Sequence, residues 1–251
     1  MSPAFLQRNL MTVVLVLSVR LGLAQDFHKS YPISAGGQIV IGNSLGNIKV
    51  TGYKGDDIEV LGFKREPERE AVEIADASSA DRIELFPRYP NDQSGGSIVD
   101  FEIRVPLEKP FNFSRLFSYA GDVEVSNVNG RIWARSVKGK VEVKDVTGLV
   151  FASSVSGDVN AEIDQVRGRS DMRFSSISGN IKVLAPAKLD ALIDMSSSTG
   201  LLRSDFPIEI QEKRYGPGRT GRGRLGLGTQ ILHITSVSGS VNLLRRPSDN
   251  P

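Results

Sequence analysis

The chain lacks cysteine altogether, and it has two histidines, one tryptophan and no marked charge excess, with 31 Lys and Arg against 29 Asp and Glu in 251 residues. Without cysteine there is no disulfide framework, no thiolate-bound metal and no thiol nucleophile. His28 and His233 leave little room for a histidine-based metal centre or catalytic triad. Long apolar runs are missing too. The one such stretch, Leu10 to Val19, falls well short of the roughly 20 residues that span a bilayer, which excludes a transmembrane array.

That stretch reads as an export leader. Arg8 precedes it, and Gly22-Leu23-Ala24 supplies the small residues a signal peptidase reads, so residues 1–24 are expected to be removed and Gln25 to begin the mature chain. The cut takes away Arg8 and Arg20 and no acid, which leaves positive and negative residues in balance. A global field for nucleic acid is therefore not expected. No cofactor, no metal and no membrane span of the mature chain are expected either. Residues 25–251 are long enough for one large domain with a substantial core.

What the sequence does have is 25 glycines, ten of which fall into a regular spacing. Gly121, Gly130, Gly139, Gly148 and Gly157 recur every nine residues, Gly168 and Gly179 follow at steps of eleven, and Gly37, Gly46 and Gly55 repeat the step of nine. Apolar residues flank them at even offsets, as in Val128, Ile132 and Ala134 about Gly130, or Val155, Val159 and Ala161 about Gly157. Period-two hydrophobicity marks short half-buried strands, each opened by a glycine turn. Three residues before the glycine stands Ser118, Ser136, Ser154, Ser176, Ser197 or Ser236 in one set, and Asn127, Asp145 or Gln165 in the other. The sets alternate, so the true repeat has two unlike halves. This predicts an all-β fold, a two-faced right-handed β-solenoid with 18–22-residue rungs. Two segments break the pattern: an excursion over 64–97, with a short helix expected near Glu70 to Ala77, and a flexible Gly/Arg-rich loop over 211–228.

The stretch Ser154 to Val159, echoed by Ser176 to Ile181 and Ser236 to Val241, resembles the bacterial "putative adhesin" family of unknown function. So does the upstream order, a glycine-led strand pair at Gly37 to Val50 and then Val105-Pro106 leading into the repeats. The resemblance runs from Phe27 to Arg245 and implies a secreted or envelope-associated repeat β protein without established catalytic residues.

Outward positions separate the two faces. On the serine face Lys140 is expected between Asp122 and Asp158, beside a second column holding Glu124, Glu142, Asn160, Lys182 and Asn242, all solvated. On the other face the columns are Arg131, Leu149 and Arg169, then Trp133, Phe151 and Asp171, then Arg135, Ser153 and Arg173. Trp133 stacked near Phe151 among arginines Arg131, Arg135 and Arg169 suits sugar rings or an anionic envelope polymer. The other reading is a second core, with the segment Phe111 to Phe117 or the excursion lying over these rings. Lys213, Arg214, Arg219, Arg222 and Arg224 form a basic cluster that suits an anion, or an ordinary solvated insertion.

The leading expectation is a non-enzymatic binding, adhesion or structural module of the bacterial cell envelope, periplasmic, cell-surface or extracellular, with a polysaccharide or a surface protein as partner. One alternative is a polysaccharide-processing β-helix enzyme using Glu124 and Glu142, whose one-rung separation loosely meets the roughly 5–10 Å of a glycosidase pair. Another is an envelope sensor that contacts a protein. A calcium-binding solenoid would need Gly-Gly-x-Gly-x-Asp, and only Gly157-Asp158 is present.

Overall fold

The structure, a computed structural model, describes residues 26–65, 72–89, 97–168, 170–212, 214 and 216–247. The expected leader, Arg169 and Lys213 lie outside the described residues. Every regular element among the described residues is a β-strand, and the strands stack into a solenoid-like, nearly closed all-β shape.

The central coil follows chain order. Strands β8 (Phe111–Ala120), β10 (Asn129–Lys138), β11 (Val141–Ser156) and β13 (Met172–Ser176) lie side by side and parallel on one face. Strands β9 (Val123–Ser126), β11, β12 (Val159–Gln165) and β14 (Ile181–Ala185) do so on the other. The long strand β11 turns the corner and serves both faces. Alternation sets the inside: Ile132, Ala134, Val150, Ala152, Met172 and Phe174 from one face meet Val123, Val141, Val159 and Ile181 from the other, each at most 2 % exposed.

One corner explains the Ser-x-x-Gly motif. Ser136 Oγ donates to Gly121 O, Ser154 Oγ to Gly139 O and Ser236 Oγ to Gly179 O, each at 2.8 Å, and Ser176 Oγ donates to Gly157 O at 2.9 Å. Every serine thus ties its own rung to the glycine of the neighbouring one. The glycine is required because the corners touch: a Cβ on Gly157 would run into Gly139 O. Next to the glycines, Asp122 Oδ1 accepts from Lys140 N at 2.9 Å and Asp158 Oδ1 from Asn180 N at 2.7 Å. These carboxylates are therefore spent on backbone amides, and the Lys140 ammonium turns to glutamates instead of to Asp122 and Asp158. At the opposite corner Asn127 (φ 54°) and Asp145 (φ 50°) take the left-handed turn, which short polar side chains tolerate.

Both ends depart from chain order. The rung of β2 (Gln38–Leu45) and β3 (Ile48–Tyr53) is inserted between β8–β9 and the rung of β6 (Arg82–Arg88) and β7 (Ile98–Pro106). At the other end β19 (Ile231–Ser236) lies between β13 and β15 (Ala191–Ser197), and β20 (Val241–Arg245) lies between β14 and β16 (Leu202–Ser204). Antiparallel strands cover the outer rungs: β1 (Phe27–Tyr31) and β4 (Ile58–Arg65) on β7, β5 (Glu73–Asp76) on β6, and the β17 (Glu209–Glu212) and β18 (Arg219–Leu225) pair on β15.

Two expectations fail here. Residues 73–76 form strand β5 where a helix was expected, because Val72 is buried, Glu73 exposed and Ile74 part-buried, a period-two pattern that serves to cover the edge of β6. The Gly/Arg segment forms a paired hairpin where a flexible loop was expected. Its glycines make that pairing fit: a Cβ on Gly221 would press on Met195, and one on Gly223 would meet Ile208.

Candidate ligand-binding face

The segment 111–117 is strand β8 in the same sheet as β10, so it lies beside the aromatic pair and does not cover it. Trp133 is 51 % exposed and stacks on Phe151, with ring centroids 5.6 Å apart at 28°. These residues are register partners on adjacent strands, which is why they meet. The Arg131 guanidinium lies over the Phe151 ring at 5.1 Å. On the β8 side, Arg115 lies over Phe117 at 5.3 Å, and a groove of about 410 Å³ runs between Arg115, Phe117, Trp133, Arg135 and Val137.

Beyond Phe151 the column continues through Arg173, His233, Asp194 and Arg222. Asp171 was expected beside Phe151, but the step to the next rung is two residues longer there and Arg173 takes the place. Leu149 was expected outward as well, yet it is only 9 % exposed, because the turn at Gly168 closes over it. His233 Nδ1 stands 3.4 Å from Asp194 Oδ2, and Arg222 Nε stands 3.6 Å from Asp194 Oδ1.

Arg115 and Phe117 were missed as groove residues. A bulge interrupts the alternation of β8, where Phe113 faces Ile132 and Leu116 faces Ala134, so two residues replace one and the outward phase shifts. The only sequence signal was the three phenylalanines of the Phe111 to Phe117 stretch.

The basic cluster is dispersed. Arg219 pairs with Glu212 at 2.9 Å and Arg222 approaches Asp194, while Arg224 points from β18 and Arg214 is exposed in the turn between β17 and β18. Arg131, Trp133, Arg135 and Phe151 are brought together; the hairpin arginines lie at the far end of the same sheet.

The opposite face carries the glutamate pair. Glu124 and Glu142 are register partners, and Lys140 Nζ sits 3.2 Å from a carboxylate oxygen of each. Lys144 adds a 2.5 Å bond to Glu142 and, with Lys140, holds that carboxyl below its ordinary range in spite of some burial. A general acid needs the reverse, a raised carboxyl. Nearby, Arg246 bonds Glu162 at 2.9 Å, Asp164 at 2.6 Å and Asp145 at 2.5 Å. Among the described residues no three His, Asp or Glu side chains are placed to hold a metal ion, and no helix is long and apolar enough to cross a membrane.

Fold and face together define an all-β stacked-strand domain with an open aromatic–arginine surface. Residues 109–215 match the family model described as Toastrack DUF4097. The span holds Trp133 and Phe151 and stops before β19 and β20. Two solved structures are similar: a "putative cell adhesion protein" from Clostridium sporogenes, at 11 % identity and TM-score 0.43 over 88 % of this chain and 99 % of that one, and a "putative adhesin" from Bacteroides fragilis, at 14 % identity and TM-score 0.34 over 86 % and 96 %. No curated protein matches the chain.

Proposed function

We propose that the chain is an exported, non-enzymatic binding or adhesion module of the bacterial envelope, and that its aromatic–arginine face takes an envelope polysaccharide. The observation that carries this reading is Trp133, half exposed yet stacked on Phe151 and bordered by Arg131, Arg135 and Arg115. A large apolar group left in water beside cations is the usual make-up of a recognition patch. Adjacent strands are about 4.8 Å apart, so the paired rings offer a platform long enough for consecutive sugar rings lying along the stack. We read the coil as right-handed with 18–22-residue rungs, which keeps such a platform straight, and residues 1–24 as the leader that delivers it. Non-enzymatic action is supported by the clamped state of Glu124 and Glu142.

The sole tryptophan is the probe. Trp133 emission should be red and readily quenched by acrylamide, and envelope polysaccharide should shift it to the blue and protect it. Trp133→Ala should weaken binding roughly tenfold, the upper part of what an aromatic contact contributes. Emission and quenching unchanged across acidic and neutral envelope polysaccharides would overturn the proposal. A protein partner is the second reading, favoured by Tyr119, Ile177 and Val237, which stand 47–51 % exposed along one margin of the same face. Ile177→Lys would then abolish binding to surface protein and leave polysaccharide binding intact.

A further inference from the structure

The inserted C-terminal rung fills a slot that the rest of the chain could close by itself. Ile234 of β19 faces Phe174 of β13 on one side and Met195 of β15 on the other, residues 21 apart in sequence. Leu243 of β20 faces Val183 of β14 and Ser204 of β16, again 21 apart. The motif residues keep the same interval: Ser176 and Ser197 both face Ser236, and the corner glycines Gly179 and Gly200 both pack against Gly239. Ser197 Oγ now donates to Gly239 O at 2.8 Å and Ser236 Oγ to Gly179 O at 2.8 Å. With β19 and β20 withdrawn, β15 and β16 can settle on β13 and β14 in phase on both faces, and Ser197 inherits Gly179 O. The N-terminal inserted rung differs. Ile41 faces Leu85 and Leu116, 31 apart, while Val50 faces Ile103 and Val125, 22 apart, so closure there would be out of phase between the faces.

The withdrawn pair could not remain in water. Leu232, Ile234, Val241 and Leu243 are all fully buried between the two flanking rungs, and withdrawal would expose all four. It is also joined to the rest by a short hinge. Residues 226–230 connect β18 to β19, with Gly226 (φ +62°) and Gly228 (φ +69°) in the left-handed region and Leu227 80 % exposed; drawn out, five residues reach about 17 Å. Two locks hold the inserted state. Asp190 accepts from Gly228 N at 2.6 Å at the hinge, and Arg246 binds Glu162, Asp164 and Asp145 just beyond β20.

We propose that the C-terminal rung, residues 231–246, is exchangeable, and that a second copy of this chain is its partner: β19 and β20 of one copy occupy the slot between β13–β14 and β15–β16 of the other. The pairing of β19 and β20 with the four strands of the slot is then kept, the Asp190 bond at the hinge is given up, and the donor chain changes. The β15-on-β13 closure spans 21 residues against 60 from Phe174 to Ile234, so it forms first and the slot fills last, in competition between the chain's own rung and a neighbour's. The Gly226–Gln230 hinge sets whether exchange pairs two copies or links many.

The absence of cysteine makes this testable with full-length chains. Ser175 and Thr235 are register partners on β13 and β19 with outward side chains, and neighbouring strands bring Cα atoms within disulfide range. In one chain, Ser175→Cys with Thr235→Cys should close an intramolecular bridge, which verifies the pairing. Two single variants, Ser175→Cys and a size-tagged Thr235→Cys, are then unfolded together, refolded together and oxidised. A mixed disulfide at least about tenfold above that formed by Thr235→Cys with Lys49→Cys, a cysteine on the opposite face, is the expected result, since exchange holds the partners at high effective concentration. Adding Arg246→Ala should let the mixed disulfide form between copies mixed already folded. An intramolecular bridge with no mixed disulfide after co-refolding would overturn the proposal, and so would mixed disulfide at the control level, which collision alone supplies.

Discussion

Ser154→Ala tests the corner ladder most directly. Ser154 is 4 % exposed, and its hydroxyl donates to Gly139 O at 2.8 Å on the adjacent rung. Alanine keeps the backbone and the volume nearly unchanged but withdraws that donor from a carbonyl packed against the next corner. Losing one partner of a buried hydrogen bond costs about 1–3 kcal/mol. For a chain of this size, each kcal/mol lowers Tm by roughly 2–4 °C, so a drop of about 2–12 °C is expected. Ser153→Ala is the control: Ser153 faces outward and only partly buried, and a surface change there should stay within about 0.5 kcal/mol. Thermal melts followed by far-UV circular dichroism, with urea midpoints as a second measure, read both. Ser136→Ala and Ser236→Ala should match Ser154→Ala, because each makes the same bond to the neighbouring glycine. If Ser154→Ala melts with Ser153→Ala and the parent, the serines do not tie the rungs and the account of the motif is wrong.

Gly157→Ala should be worse than the serine change, by more than about 3 kcal/mol, because its Cβ meets the Gly139 backbone and not a movable side chain; soluble yield and Tm would reveal this. Asp76 accepts from Lys29 at 2.6 Å and Tyr31 at 2.9 Å; burial works against the charge, but these bonds and those from Ser78 hold the carboxyl well below its usual range. A depressed carboxyl contributes stability above its unfolded value of about 3.9 and loses it as pH falls through the folded value. Asp76→Asn should therefore lower Tm at pH 6 and leave a flatter decline below pH 4, and parallel pH dependence in both proteins would refute the assignment. Arg246→Ala strands Asp145, Glu162 and Asp164 near one another and should cost roughly 1–3 kcal/mol at neutral pH, less in acid, as read by urea midpoints at two pH values.

Much of this was readable in advance because the stacked corners impose chemistry that only certain residues satisfy. A glycine every rung and a serine three before it are needed where backbones touch, and the sequence shows both at Ser136-x-x-Gly139 and Ser154-x-x-Gly157. Trp133 beside Phe151 follows from the same counting. The counting failed where extra residues entered a strand or the connection between two strands. The β8 bulge hid Arg115 and Phe117, and the longer step after β12 put Arg173, and not Asp171, next to Phe151.

Local sequence thus determined the all-β class, the two unlike faces, the serine–glycine corners and the aromatic pair, since each depends on neighbours one rung away. Tertiary structure alone decided the order of the rungs at both ends, the antiparallel strands that cover them, and the exposure of Trp133. The reason is degeneracy. Ser236-x-x-Gly239 obeys the same rule as Ser197-x-x-Gly200, so nothing in the pattern says which of them stacks on Ser176-x-x-Gly179. The choice falls to long-range competition between a 21-residue closure and the burial of one more rung, and only the assembled fold records its outcome.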